Sequence, residues 1–241
     1  MPSILNEYQQ AVGSPVPDWQ TRTAPQRKTI EGSYCRLEPL DAARHAADLH
    51  GAYRKAQDSR DWTYMLQEPF ADEAGYRRHV ADAATSADPL YYAVLGLRDG
   101  RAIGSLALMR IDASYGVIEV GMVMFSPDLQ RTPASTEAQY LLMRYVFEEL
   151  GYRRYEWKCD SLNQPSRLAA ARLGFQYEGT FRQARVYKGR NRDTAWFSVI
   201  DRDWPALRAA FEAWLAPHNF DADGRQRLAL SALRAASGPA T

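Results

Sequence analysis

Three apolar runs, at residues 90–97, 102–111 and 116–125, constrain the fold of this 241-residue chain more than any other feature. Each run has the length and the aliphatic content of a β-strand, and Asp99 with Gly100 forms a turn signal between the first two. Apolar residues follow one another without regular alternation, so both faces of the resulting sheet must be covered. We therefore predict a sheet with helices on both sides.

The remaining elements follow from periodicity and from end signals. Apolar side chains recur at helical spacing directly after the third run, which predicts a helix over residues 133–150. Other helices are predicted over residues 41–56, 72–84, 163–173, 204–215 and 223–236. Other strands are predicted over residues 30–37, 153–159, 175–181 and 194–200. Strands that alternate with helices, with hairpins at the start and the end, indicate a mixed sheet of the α/β (α+β) class.

The two ends of the chain differ from its centre. Residues 1–29 contain Pro15, Pro17 and Pro25, which break regular structure, so we predict an extended arm that Trp19 anchors. Residues 30–202 are predicted to form one domain, and residues 203–241 a helical extension packed on that domain. A hydrophobic content of 46% is ample for a core of this size.

Composition argues against several classes of protein. The net charge of +1 provides no overall field for a nucleic acid or a membrane. The two cysteines and four histidines are scattered without metal-ligand spacing, so no metal site and no disulfide framework are expected. No signal peptide and no membrane-spanning run are visible, which predicts a cytoplasmic protein.

The charge is nevertheless uneven. Residues 151–192 hold ten lysines and arginines against three acidic residues. Such a stretch suits a polyanionic ligand, although a solvated basic face would have the same composition. Binding of RNA is a further reading, but Tyr152, Tyr155 and Trp157 lie at strand spacing, which core packing explains better than base stacking.

Residues 130–138 join the third apolar run to the helix that follows it. Such a junction presents a helix N-terminus, with unpaired N–H groups and the positive end of the dipole, to a pyrophosphate. Further motifs follow along the chain: Thr136-Glu137-Ala138, residues 147–151, Asn163 with Ser166, Leu173-Gly174-Phe175, Glu178-Gly179, Gly189-Arg190 and Asp193. In this order and spacing, the chain resembles the GNAT superfamily of N-acetyltransferases, and most closely its RimJ/RimL-like, ribosomal-protein N-terminal acetyltransferase type.

This resemblance implies the GNAT fold, a mixed and mostly antiparallel sheet of six to seven strands with helices on both faces. It implies acetyl transfer from acetyl-CoA, as co-substrate, to a primary amine by direct attack, without a metal. The acceptor would be a peptide or protein N-terminus or a small amine. Neither a nucleic acid nor a membrane is an expected partner, and the chain would be a monomer or a homodimer.

The resemblance also assigns residues to the donor. The backbone at Met122, Val123 and Met124 would pair with the pantetheine arm and hold the oxyanion. The pyrophosphate would contact the loop and the first helical turn after it, and Asn163 would hydrogen-bond the pantetheine arm. Arg167 and Arg172 would reach the ribose 3′-phosphate, or would be ordinary exposed arginines of a helix. These expected contacts are Gln130, Arg131, Ala134, Ser135, Thr136, Asn163, Arg167 and Arg172. The aromatic residues Trp62, Tyr64, Tyr91 and Tyr92 would either line the acceptor side or belong to the core.

In two places the chain departs from the family pattern. Arg131 and Pro133 stand where the family has glycines, and Ala170 stands where many relatives have a tyrosine acid. Pro133 nevertheless suits the first position of a helix, with Thr132 as its N-cap. Ser166 would then assist departure of the thiolate in place of the tyrosine, or would only cap its helix.

Glu119 is the expected general base, because it is a carboxylate within an otherwise apolar strand. A buried glutamate held by an arginine or by backbone groups fits the pattern equally well. A second hypothesis for the whole chain is an acyl-CoA-binding or regulatory module that has no catalytic activity.

Overall fold

A computed structural model describes residues 4–236 of the chain. The N-terminal arm starts as a hairpin of two short antiparallel strands, β1 (Ile4–Leu5) and β2 (Ala11–Val12). The indole N–H of Trp19 then donates to the carbonyl of Ser114 at 2.8 Å, and its ring packs against Gly116, where a Cβ would lie only 2.5 Å away. Trp19 therefore fixes the arm to the domain, as the sequence predicted.

One sheet of eight strands forms the centre of the fold. Its strands are β3 (Ile30–Glu31), β4 (Cys35–Pro39), β5 (Leu90–Gly96), β6 (Ala102–Asp112), β7 (Val117–Phe125), β8 (Arg154–Asp160), β9 (Gln176–Tyr187) and β10 (Arg190–Ile200). They lie in the order β3-β4-β5-β6-β7-β8-β10-β9. Neighbours are antiparallel except β7 and β8, which are parallel. The mixed, mostly antiparallel sheet is confirmed.

The sheet has eight strands instead of six to seven, because the predicted first strand is divided by a turn. Glu137 explains this turn. Its buried carboxylate accepts hydrogen bonds from the backbone N–H groups of Ser33, Tyr34 and Cys35 at 2.7, 2.6 and 2.8 Å. A Cβ on Gly32 would lie 2.5 Å from the same carboxylate. The glutamate of the Thr136-Glu137-Ala138 motif is therefore a structural residue, which stabilises the turn between β3 and β4 by these hydrogen bonds.

Helices cover both faces, as predicted. They are α1 (Ala42–Tyr53), α2 (Glu73–Thr85), α3 (Pro133–Arg144), α4 (Gln164–Leu173), α5 (Trp204–Leu215) and α6 (Leu230–Ala236). One apolar cluster joins α1 and α2 to side chains of β5 and β6 such as Ala93 and Ala102. A larger cluster joins α3, α4 and α5 to the opposite face, with Trp204, Phe211 and Trp214 of α5 within it.

Two predicted helices are shorter than expected. The helix predicted over residues 133–150 ends at Arg144 and continues as a π-helical turn, Tyr145–Glu149. The helix predicted over residues 223–236 begins only at Leu230. The Asp221 carboxylate accepts the N–H groups of Asp223 and Arg225, which forms a tight loop instead of a helical turn. Within residues 4–236, no helix is both long and apolar enough to cross a membrane.

Candidate active site

The site begins where β7 separates from β8. Their parallel pairing runs from Val117 opposite Arg154 to Val120 opposite Trp157, and there it ends. On its other side β7 has a bulge, because two of its residues, 122 and 123, stand opposite a single residue of β6. Met122 adopts φ +51°, which changes the direction of the strand. The second half of β7 therefore borders a wedge between the two strands.

Two cavities meet at this wedge. The larger has a volume of about 870 Å³ and extends toward the start of α3 and the loop after α5. The smaller has a volume of about 370 Å³ and lies against β8, β9 and β10. Six residues line both cavities: Tyr64, Met65, Val123, Trp157, Asn163 and Ser166. A bound molecule that reaches this boundary from one side would meet a molecule bound on the other.

The loop into α3 keeps a glycine-like backbone although it lacks glycine. Arg131 adopts φ +61°, the left-handed region that glycine favours. Thr132 is the N-cap of α3, and its hydroxyl accepts the N–H of Ser135 at 3.3 Å. Pro133, which has no N–H, occupies the first turn, where it removes no helical hydrogen bond. The replacements at Arg131 and Pro133 are therefore compatible with a helix N-terminus that opens on the larger cavity.

Arg131 and Arg172 are the cationic side chains of the donor loop and of α4 that line the larger cavity. Neither forms an ion pair with a carboxylate within residues 4–236. Arg172 donates to the hydroxyl of Thr136 at 3.0 Å and lies over the ring of Trp214. Burial lowers the pKa of Arg172, because its guanidinium is partly removed from water. A bound phosphate would be a negatively charged partner for these two guanidinium groups.

Most of the predicted donor contacts come together. Val123, Met124, Gln130, Arg131, Ser135, Thr136, Asn163, Ser166 and Arg172 line the larger cavity. Met122 lines only the smaller cavity. Ala134 and Arg167 line neither. The Arg167 guanidinium is turned back onto its own loop, where it donates to the carbonyl of Ser161 at 3.0 Å and lies over the ring of Tyr177.

Ser166 and Asn163 stand at the boundary of the cavities. The side-chain carbonyl of Asn163 caps α4 by accepting the N–H of Ser166 at 3.1 Å, which leaves its amide NH₂ to face the cavities. The hydroxyl of Ser166 accepts the indole N–H of Trp157 at 2.9 Å. A side-chain hydrogen bond from Ser166 also stabilises the charged form of the Cys159 thiol, so the hydroxyl can act as a donor toward sulfur.

Glu119 lines the smaller cavity and is only 5% exposed. Its Oε2 lies 2.9 Å from Nζ of Lys158 and 3.1 Å from Nε of Arg110. Burial raises the pKa of Glu119, while Lys158 and Arg110 oppose that rise. Lys158 also pairs with Glu156 at 2.6 Å and lies over the ring of Trp196. The Glu119 side chain thus lines the cavity and also belongs to a buried ion-pair network.

The comparison with family models finds one described as "Acetyltransferase (GNAT) domain", which matches residues 35–176. The chain belongs to the GNAT acetyltransferase family. This match covers more than half of the chain, and it includes the wedge, the loop into α3 and α4. Membership implies acetyl-CoA as the acetyl donor and an amine as the acceptor.

Individual relatives agree with this result. A crystal structure of a GCN5-related N-acetyltransferase from Brucella melitensis is 49% identical, with a TM-score of 0.89, over 91% of this chain and 100% of that chain. A protein of Bacillus subtilis strain 168, named "Putative ribosomal N-acetyltransferase YdaF", is 26% identical over 70% of this chain and 90% of its own length.

A structure from Salmonella typhimurium, described as an acetyl transferase that modifies the N-terminal serine of ribosomal protein L7/L12, is 21% identical. Its TM-score is 0.60, over 72% of this chain and 99% of that chain, which shows a common fold. The GNAT fold, the acetyltransferase class and the RimJ/RimL-like relationship that the sequence predicted are therefore confirmed.

Sequence reasoning missed several parts of the site. Trp157 belongs to the core, as interpreted, but its position on the lining of both cavities was not predicted. The loop after α5, through Phe220, Arg225 and Gln226, lines the larger cavity although it was predicted to be partly helical. Only the clustering of Gly224 with Asp221 and Asp223 signalled a turn there. Of the four aromatic residues considered for the acceptor side, Tyr64 lines the smaller cavity, whereas the other three do not.

Proposed function

We propose that this acetyltransferase binds acetyl-CoA in the larger cavity and a primary amine in the smaller one, and that the amine attacks the thioester directly. The observation that carries the proposal is the shared lining of the two cavities at Val123, Trp157 and Ser166. Reactants held on opposite sides of this boundary would have their reacting atoms adjacent, which favours direct transfer.

The donor would enter with its phosphates at the first turn of α3. There the helix N-terminus and the guanidinium groups of Arg131 and Arg172 would neutralise negative charge. The pantetheine arm would continue along the wedge beside Val123 and Met124, with the amide NH₂ of Asn163 as a further donor. This arrangement would bring the thioester to Ser166.

The chemistry assigns three roles. The amine nitrogen bonds to the thioester carbon, and backbone N–H groups of residues 122–124 stabilise the resulting oxyanion. The proton of the amine passes to the Glu119 carboxylate, either directly or through water. The carbon–sulfur bond then breaks, and the Ser166 hydroxyl donates to the departing thiolate. The raised pKa of Glu119 suits this role, because it makes the carboxylate a stronger base.

Calorimetric titration with acetyl-CoA tests the donor site, with dephospho-CoA and ATP as comparison ligands. Arg172→Met should weaken acetyl-CoA binding, whereas Arg167→Met, a matched change on the same helix outside both cavities, should leave it unchanged. A second assay follows loss of thioester absorbance with a panel of amines. Equal effects of the two substitutions would contradict the donor site, and binding without thioester loss for any amine would contradict the transfer.

A further inference from the structure

Two arginines face each other in the acceptor cavity. Arg185 of β9 and Arg192 of β10 are directly opposite in the register of the hairpin, and both line the smaller cavity. Like charges at directly opposed positions of an antiparallel pair destabilise it. Within residues 4–236, neither guanidinium forms an ion pair with a carboxylate. The fold therefore holds two neighbouring positive charges without a protein anion between them.

The acidic side chains of the same cavity are already engaged. Glu119 is paired with Lys158 and Arg110. Asp160 accepts the hydroxyl of Tyr187 at 2.8 Å and the N–H of Leu162 at 2.9 Å. Asp193, beside Arg192 in the chain, accepts the N–H of Gln183 at 2.7 Å and does not line the cavity. The exposed Arg185 and the half-buried Arg192 therefore have no carboxylate partner in this cavity.

Arg192 lines the same cavity as Trp157 and Ser166. Its Nε donates to the hydroxyl of Thr194 at 3.1 Å, which holds the guanidinium on the cavity side of β10. Burial raises the pKa of the Cys159 thiol, and the hydrogen bond from Ser166, followed by the positive charges of Arg192 and Arg167, opposes that rise. Cys159 is on β8, two residues beyond Trp157 at the boundary of the cavities.

The cavity is also small, and the hairpin that lines it is tied to a neighbouring loop. Lys188, at the tip of the β9–β10 hairpin, donates to the carbonyl of Trp62 at 2.8 Å and pairs with Glu68. Arg190 donates to the carbonyl of Thr63 at 3.1 Å. We call these contacts between residues 188–190 and the loop over residues 62–68 the clamp. The cavity volume of about 370 Å³ suits a small molecule better than an extended peptide.

The rest of the lining is largely apolar, with Met65, Leu66, Met109, Phe181 and Trp196. We propose that the acceptor is a small primary amine that carries a carboxylate and an apolar group, and that Arg185 and Arg192 bind the carboxylate. This inference rests on the proposed transfer reaction. Paired guanidinium groups bind a carboxylate by parallel hydrogen bonds, and the apolar group would replace water beside the methionines and Trp196.

The test compares matched amines with the full chain. Phenylalanine carries an amine, a carboxylate and an apolar ring. Phenylalaninamide has an uncharged amide in place of the carboxylate, and phenethylamine has no carboxyl group. Loss of thioester absorbance should give a kcat/KM for phenylalanine about ten- to a hundredfold above that for the two neutral compounds, as expected for a charge-assisted contact. Arg185→Met and Arg192→Met should each reduce this preference through KM.

Arg182→Met provides the control, because Arg182 is on the same hairpin but does not line the cavity. Thermal unfolding of each variant shows whether it is folded. Any of three results would overturn the inference. The neutral amines could have the same kcat/KM as phenylalanine, or Arg192→Met could lower kcat/KM equally for phenylalanine and phenylalaninamide. The enzyme could also prefer O-phosphoethanolamine or a short peptide to phenylalanine.

Failure of the transfer itself has a different signature, since no amine would then consume the thioester. Calorimetry of phenylalanine with the enzyme–CoA complex decides the carboxylate site separately. If phenylalanine binds the wild-type complex and Arg192→Met abolishes this binding, the carboxylate site is supported. If phenylalanine does not bind the wild-type complex, the carboxylate site is overturned.

Discussion

Replacing Glu119 by glutamine separates a catalytic from a structural role for this carboxylate. The substitution keeps the shape of the side chain but removes the proton acceptor. Loss of a general base lowers kcat by about 10²–10⁴-fold. Glu119 does not line the larger cavity, so the Kd for acetyl-CoA should stay unchanged.

The structure also bounds the effect of this change on stability. Lys158 is buried and lies 2.9 Å from Glu119, but it keeps Glu156 as a partner at 2.6 Å. The ammonium group is therefore not left unpaired. The free energy of unfolding should fall by less than the ~3–5 kcal/mol that an orphaned buried charge costs. The variant should be folded under assay conditions, which thermal unfolding would verify.

Glu156→Gln is the matched control. Glu156 stands opposite Glu119 in the register of β7 and β8 and shares Lys158, but it does not line the acceptor cavity. It should disturb the same ion-pair network and leave kcat nearly unchanged. Equal losses of kcat in the two variants, or a loss that merely follows thermal unfolding, would refute the assignment of Glu119 as the base.

The pH dependence adds a second readout for Glu119. Burial raises its pKa, so the base form is lost at a higher pH than for an exposed glutamate. kcat/KM should therefore fall as the pH is lowered through this raised pKa, and the fall should be absent in Glu119→Gln. The sign for stability is opposite: the contribution of Glu119 is present below its ordinary pKa and is lost as the pH rises through the raised one.

Three further predictions concern the donor loop and its support. Arg131→Glu should weaken acetyl-CoA binding about tenfold or more by calorimetry, whereas Arg131→Gly should preserve the loop, since φ is already +61°. Arg172→Met should raise the Kd for acetyl-CoA about ten- to a hundredfold, because its guanidinium has no protein carboxylate in the described part of the chain. Glu137→Gln should cost about 3 kcal/mol of unfolding free energy and lower Tm by roughly 6–12 °C, since three backbone N–H groups share its carboxylate.

Each of these predictions has an outcome that contradicts it. An unfolded Arg131→Gly variant would mean that the arginine side chain holds the loop. Unaltered acetyl-CoA affinity in Arg172→Met would remove this residue from the donor site. A Glu137→Gln protein with wild-type Tm would show that solvent satisfies the turn after β3 equally well.

Local signals in the sequence were sufficient for much of this fold. Thr132 is the N-cap of α3, as predicted, whereas the N-cap of α4 is Asn163 and not Ser166, which had been considered as a cap. Gly174 ends α4 with φ +99°, a conformation that glycine adopts without strain. The apolar runs became central strands covered on both faces, which confirms the inference from their lack of alternation.

The rest depends on contacts between distant segments, which a local pattern does not record. Trp157 follows the alternating pattern of a half-buried strand. It lies at the boundary between the two cavities because the pairing of β7 with β8 ends at this residue, and no local pattern records that ending. The bulge at Met122 has no sequence signal, since methionine rarely adopts a positive φ. Arg185 and Arg192 belong to the basic stretch over residues 151–192, but their register opposite each other required the hairpin.

The clamp has a consequence for the loop that borders both cavities. Lys188 and Arg190 join the β9–β10 hairpin to the backbone carbonyls of residues 62 and 63. The next two residues of that loop, Tyr64 and Met65, line both cavities. Breaking the clamp would therefore loosen a wall that the proposed donor and acceptor share, and hydrolysis of acetyl-CoA by water should rise relative to transfer.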